Sequence, residues 1–183
     1  MRPPNKATVI TDASFCPDTK IGTWAGWIKM DVPPYPGPIR GSGRLRHSED
    51  STTAEVMAAA NGCYLAAANG ASHILLQSDC MAVIHLVEGR GKAERLLAIW
   101  EDLMGRGVMA GVFITARHVK GHGRIHNART WVNDWCDRTA YEIMRKARAE
   151  HRTANYQSHR QKRAAGGSPP ERSNPSWSIC PRP

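Results

Sequence analysis

An α/β fold, built on a mixed five-stranded sheet with helices on both faces, is what this sequence predicts. Three observations carry that expectation. Three apolar runs broken by turn residues fill roughly the first 45 positions, the pattern of an antiparallel meander. Beyond them, helical and strand patterns alternate, which adds strands whose connections are helices. With 183 residues and 41% hydrophobic content, the chain can bury one sizeable core, so one domain with an appended tail is the natural count.

The first run, Ala7-Thr8-Val9-Ile10-Thr11-Asp12-Ala13-Ser14-Phe15, reads as a strand, and Cys16-Pro17-Asp18-Thr19-Lys20 as the turn after it. Residues 22–30 give a second strand, Pro33-Pro34-Tyr35-Pro36-Gly37-Pro38 a loop, and residues 39–45 a third strand. An Ala-rich helix follows over residues 53–68, closed by Asn69-Gly70 as its C-cap. Residues 73–77 form a buried strand and residues 80–87 a short helix, ended by Gly89-Arg90-Gly91. Leu96, Leu97, Ile99, Trp100, Leu103 and Met104 recur at helical spacing and predict a helix over residues 93–104. Residues 108–119 give the last strand and residues 131–149 the last helix, in which Trp131 and Trp135 lie four apart, so at least one should pack on the sheet. The domain is thus expected to span residues 1–149. Residues 150–183, poor in apolar residues and with five prolines after Ser168, are expected to be a disordered basic tail.

Charge and cysteine usage narrow the class. The formal charge is +9 and the pI about 9.7, which suits a polyanionic partner. From Arg145 onward nine Lys/Arg face only Glu150 and Glu171, so +7 of that charge lies in the last 39 residues. No apolar stretch approaches the roughly 18–20 residues of a membrane span, and no signal-peptide core precedes the first strand. Five cysteines, an odd number without a C-x-x-C pair, predict reduced thiols in a cytoplasmic setting.

Four acids stand where a carboxylate is awkward or where elements meet. Asp12 lies inside a strand pattern, from which Asp is depleted, and its burial beside Ile10 is unfavourable unless something binds it. Glu55 opens the Ala-rich helix, where Thr52-Thr53-Ala54-Glu55 also fits a capping box. Asp79 follows the buried strand's carboxyl end, where α/β sheets gather ligands, although it also suits an N-cap. Asp137 lies in the last helix, where pairing with Arg138 is the ordinary alternative. Brought together, the four would repel unless cations were present, and oxygen-only ligands suit Mg²⁺ or Mn²⁺.

Other signatures fail. His118, His122 and His126 recur every four residues, as zinc ligands on a helix would, but a strand end and the loop Gly121-His122-Gly123 deny them a common helix. There is no Walker A loop and no G-x-S-x-G elbow, and Gly105-Arg106-Gly107 runs from helix into strand, the wrong direction for a dinucleotide loop.

Five blocks in order, Thr11-Asp12-Ala13-Ser14, Thr53-Ala54-Glu55-Val56-Met57-Ala58-Ala59, Gln77-Ser78-Asp79, Val119-Lys120-Gly121-His122 and Asn133-Asp134-Trp135-Cys136-Asp137, make residues 7–144 resemble a type 1 ribonuclease H. The resemblance implies a ribonuclease H-like fold and an endonuclease that cuts the RNA strand of RNA–DNA hybrids, leaving 5′-phosphate and 3′-hydroxyl ends. It implies two Mg²⁺ ions, with Mn²⁺ the alternative, held by Asp12, Glu55, Asp79 and Asp137, and gives His122 a part in proton transfer or product departure. By position, Ser14, Ser51, Thr52 and Asn133 are candidates for substrate contact, and the protein is expected to act as a monomer. The chain departs from that family twice. Residues 89–106 are too short and too neutral for the Lys-rich protrusion of many members, and fifteen positions separate His122 from Asp137, a longer loop in which Arg124, Asn127 and Arg129 stand within reach of phosphate. Another nuclease of the same superfamily, such as a resolvase or exonuclease, and a non-catalytic hybrid-binding module are the competing readings. The second should lack one of the acids, and none is missing.

Overall fold

Side chains alternate across a strand with period two, so the adjacent apolar residues Val9 and Ile10 face opposite sides of the sheet, and each side has a core to receive them. The computed structural model describes residues 5–31, 37–46, 48–119 and 128–164. In chain order these form β1 (Lys6–Cys16), β2 (Ile21–Met30), β3 (Ile39–Leu45), α1 (Ser51–Ala68), β4 (His73–Ser78), α2 (Met81–Val87), α3 (Glu94–Met104), β5 (Phe113–His118) and α4 (Ala128–Ala164). The five strands make one mixed sheet in the order β3-β2-β1-β4-β5. β1 to β3 are antiparallel neighbours, whereas β4 pairs parallel with both β1 and β5. Two units divide the chain, residues 1–148 and residues 149–183.

The larger core joins Val9, Ile28, Ile74 and Leu76 of the sheet to Val56, Ala59 and Cys63 of α1, with Val83, Leu103 and Met109 completing it. Small residues in α1 let the helix lie close on β1. A Cβ added at Gly62 would stand 2.5 Å from Cγ2 of Thr11 and 2.8 Å from Cγ1 of Val9. On the other face, Ile10 and Ala25 meet Cys136 and Ala140 of α4. There Thr23 Oγ1 donates to the Ala140 carbonyl at 2.7 Å, and the Cys136 thiol to the Ile10 carbonyl at 3.6 Å. Trp27 of β2 receives both Trp131 and Trp135 edge-on, at 5.5 and 5.3 Å between ring centres, and the Arg40 guanidinium lies 4.5 Å over it.

Two elements differ from their sequence expectation. β5 begins at Phe113 rather than 108, because Gly107–Met109 form a 3₁₀ turn that buries Met109 and Gly111 takes φ +74° before the chain enters the sheet. α4 continues to Ala164, so residues 150–164 are helical where composition predicts a disordered tail. Arg, Gln, Lys and Ala there are strong helix formers, and no Gly or Pro interrupts them before Gly166. Lack of a core-forming stripe excludes burial, not helix. Among the described residues, no helix is long and apolar enough to cross a membrane.

Gly62→Ala tests how tightly α1 is seated. Overpacking against two stiff β-branched side chains costs about 1–3 kcal/mol, against the roughly 1 kcal/mol by which Ala favours helix over Gly. A net loss of up to about 2 kcal/mol is expected in urea unfolding. An unchanged or raised midpoint would show that the helix can move off β1.

Candidate metal centre

The β1–β4 ladder ends at the pair Ile10–Gln77, and one residue after β4 comes Asp79. β1 runs on beside β2 alone, with Asp12 opposite Ala25, so Asp12 stands at the mouth where the two parallel strands part. This is the carboxyl end of the parallel β1–β4 pairing, the place where α/β sheets collect ligands. Asp12 shares the face of Ile10, the face that α4 covers.

Glu55 arrives from α1, and its freedom depends on another acid. The helix is capped by Asp50, whose Oδ1 accepts the Thr53 N–H at 2.7 Å. The capping box that the sequence allows at Thr52-Thr53-Ala54-Glu55 is therefore not the cap, and Glu55, five residues past Asp50, is released for the site. Asp50 is itself held by Arg95 of α3, which pairs with Glu49 as well. The sequence reading overlooked both residues. An Asp directly before Ser51 is a strong N-cap signal, whereas Arg95 lies 45 positions away and leaves no local trace. Asp79 is not a cap either, because α2 starts after Cys80, whose N–H donates to Ser78 Oγ at 3.0 Å.

Oxygens of Asp12, Glu55 and Asp79 lie within 4.8 Å of one another. The Ala13 N–H is shared between two of these acids, donating to Asp12 Oδ1 at 2.9 Å and to Glu55 Oε1 at 3.3 Å. One donor cannot satisfy the pair, and Glu55 Oε2 is buried with no hydrogen-bond partner. Burial, reinforced by the charges of Asp79 and Asp137, raises the Asp12 carboxyl from 3.8 to about 6. Burial, then the charges of Asp12 and Asp79, hold Glu55 well above its ordinary value. The Cys80 thiol nearby is also pushed up, by burial first and then by these acids, so it stays protonated. A compact set of carboxylate oxygens, one of them orphaned, fits a hard divalent cation.

Asp137 lies outside the three-acid group, yet near enough for its charge to act on Asp12. The neighbouring Cys136, anchored to the Ile10 carbonyl, sets its place. Arg138 does not engage it, since the Arg138 Nε–H donates to the Asp134 carbonyl at 3.4 Å. Asn133 is buried one helical turn before Asp137. Ser14 is two residues beyond Asp12 on the same sheet face, while Ser51 and Thr52 form the first turn of α1, exposed and half-buried respectively. His122, like Arg124, His126 and Asn127, lies outside the described residues.

A family model described as reverse transcriptase-like matches residues 11–104. Among solved structures, the N-terminal ribonuclease H domain of a Mycobacterium tuberculosis protein, fused to maltose-binding protein, is similar at TM-score 0.62 and 16% identity, over 80% of this chain and 99% of that one. Ribonuclease H1 of the halophilic archaeon Halobacterium salinarum is similar at TM-score 0.58 and 17% identity, over 77% and 98%. The prototype foamy virus protease–reverse transcriptase follows at 0.51 and 19%, over 78% of this chain and 21% of that one. At such identities the likeness is one of fold, and the fold is that of ribonuclease H. No curated protein matches the chain in sequence.

The raised acids make stability depend on pH. For Asp12 the folded value of about 6 exceeds the ordinary 3.8, so its contribution is complete below about pH 4 and is lost as pH rises through 6. In chelator, the protein should lose about 2 kcal/mol between pH 4 and pH 7 from this group. Asp12→Asn should flatten the profile, and Mg²⁺ should restore stability at neutral pH. Unfolding midpoints in chelator that do not fall over that window would contradict the account.

Proposed function

The chain belongs to the reverse transcriptase-like family, and on that footing we propose that it is an endonuclease hydrolysing the RNA strand of RNA–DNA hybrids to 5′-phosphate and 3′-hydroxyl ends. The observation that carries this reading is the meeting of Asp12, Glu55 and Asp79 at the mouth between β1 and β4, with one Glu55 oxygen unpartnered. Asp12, central to the group, would serve two Mg²⁺ ions, Glu55 and Asp79 one of them and Asp137 the other; Mn²⁺ is the alternative. Bound there, the ions supply a water nucleophile near neutral pH and offset charge on the scissile phosphate, so that no side chain need act as nucleophile.

The chain's own groups do the rest. Burial on the sheet holds Asp12 rigidly, and the Ala13 N–H fixes the mutual orientation of Asp12 and Glu55. Ser14, Ser51, Thr52 and Asn133 are proposed to contact the substrate, the side chains of the α1 first turn being accessible for it. Contacts to the 2′-hydroxyl would distinguish the RNA strand from DNA. His122 is proposed to carry protons or to assist product departure, a task suited to an imidazole between two glycines. A reducing, cytoplasmic setting accords with the four free cysteines among the described residues, and the protein is proposed to act there as a monomer.

Incubation with an end-labelled hybrid, with Mg²⁺ or with chelator, tests the proposal. Cleavage of the RNA strand only, and only with the metal, is expected. Asp12→Asn and Asp79→Asn should each lower turnover by roughly 10²-fold or more while the fold is kept. Near-normal turnover in either variant would remove these acids from the chemistry. Equal rates on hybrid and duplex DNA would instead indicate another nuclease of this superfamily.

His122→Ala should lower turnover by about 10²-fold, at the modest end for a lost proton-transfer group. Hybrid binding and metal affinity should stay close to wild type. Loss of bound metal in a titration of this variant would make the histidine a ligand rather than a proton carrier.

A further inference from the structure

The second unit, residues 149–183, is described as helix up to Ala164, and every residue from 149 to 162 is exposed. A helix that is polar all round draws nothing from packing, and a short one is marginal alone in water. Its polar residues are nonetheless sorted. Arg152, Tyr156, His159 and Arg160 stand four, seven and eight positions apart and share one face, whereas Glu150, Ala154, Gln157 and Gln161 share the opposite one. Tyr156 is 70% exposed.

We propose that the face made by Arg152, Tyr156, His159 and Arg160 binds the sugar-phosphate backbone of the RNA–DNA hybrid, a proposal that rests on the function inferred above. Most of the cationic charge between residues 89 and 106 is already committed. Of the four cations between residues 89 and 106, Arg90 is paired with Glu88, Arg95 with Glu49 and Asp50, and Arg106 with Asp102. Those arginines are already engaged by carboxylates, while Arg152 and Arg160 share their face with no acid. Their guanidinium forks suit phosphate, and eight residues of helix set them about 12 Å apart, on different phosphates. The Tyr156 hydroxyl adds a neutral phosphate or sugar contact.

The chemistry of the helix disfavours other partners. A protein groove reads a helix through apolar anchors three and four residues apart, and residues 149–162 offer only Ala and a single Tyr. A membrane surface needs an apolar face opposite the basic one, where this helix has Glu150, Gln157 and Gln161.

The test is binding of a labelled hybrid to the full chain in chelator, by fluorescence anisotropy across a salt series. Each phosphate contact contributes about 0.9 to the slope of log affinity against log salt. Arg152→Gln/Arg160→Gln should flatten that slope by about 2 and weaken binding at 0.1 M salt by at least about tenfold. Gln157→Ala/Gln161→Ala should change neither, and far-ultraviolet circular dichroism checks that the helix persists in both variants. An unchanged slope in the arginine variant, or an equal loss from the opposite face, would overturn the proposal. Cleavage measured in Mg²⁺ separates the two readings. A chain that cuts hybrid normally while the arginine variant keeps its slope refutes this inference alone. A chain that shows the expected salt behaviour but never cuts refutes the catalytic reading alone.

Discussion

Three carboxylates share a space in which their oxygens lie within 4.8 Å, mostly withdrawn from water, and the rest of the structure depends on that crowding being held. Neither burial nor like charge favours ionised acids. Among the described residues, the backbone N–H of Ala13, divided between Asp12 and Glu55, is set against both. Protons relieve part of the repulsion, as the raised values of both acids show. A divalent cation relieves more, because it answers every oxygen at once. A cation held there would therefore compete with protons for one set of atoms.

Holding such a set together requires elements that meet at one point and cannot drift. β1 and β4 supply it by parting after Ile10 and Gln77, which opens a gap at the carboxyl end of their parallel pairing. α1 is pressed onto β1 by small residues around Gly62, and its first turn is fastened by Asp50 and Arg95. α4 is seated by Thr23, by Cys136 and by the edge-on tryptophans and Arg40. This gives the fold its bearing on function: the sheet sets Asp12 and Asp79, and a helix on each face delivers one more carboxylate.

Strands of this kind are legible from sequence because a half-buried strand writes its period into neighbouring residues. The meander, the buried β4 and the odd position of Asp12 in β1 all follow from that rule. Glu55 was ambiguous because capping and ligation ask for the same residue type at the same helix end, and only Asp50 one turn earlier resolves it. Arg95 acts across 45 residues, a separation at which no local pattern survives. The start of β5 was misplaced because Val108 and Met109 have the apolar character of a strand, while the burial of Met109 and the turn at Gly111 are tertiary facts. Residues 150–164 are polar and exposed, yet helical, because Arg, Gln, Lys and Ala favour helix without any core to pack on.

The competition between protons and cation offers the most direct measurement. Calorimetric titration of the metal-free protein with Mg²⁺ at pH 6, in buffers of different ionisation enthalpy, counts the protons released on binding. With Asp12 near its half-titration point, at least about half a proton should leave for each protein saturated, and Glu55, raised by burial and by its acidic neighbours, should add to the number. The number should shrink as pH is raised, and also in Asp12→Asn. Tight binding without proton release, or release that Asp12→Asn leaves untouched, would place the cation somewhere other than among these acids.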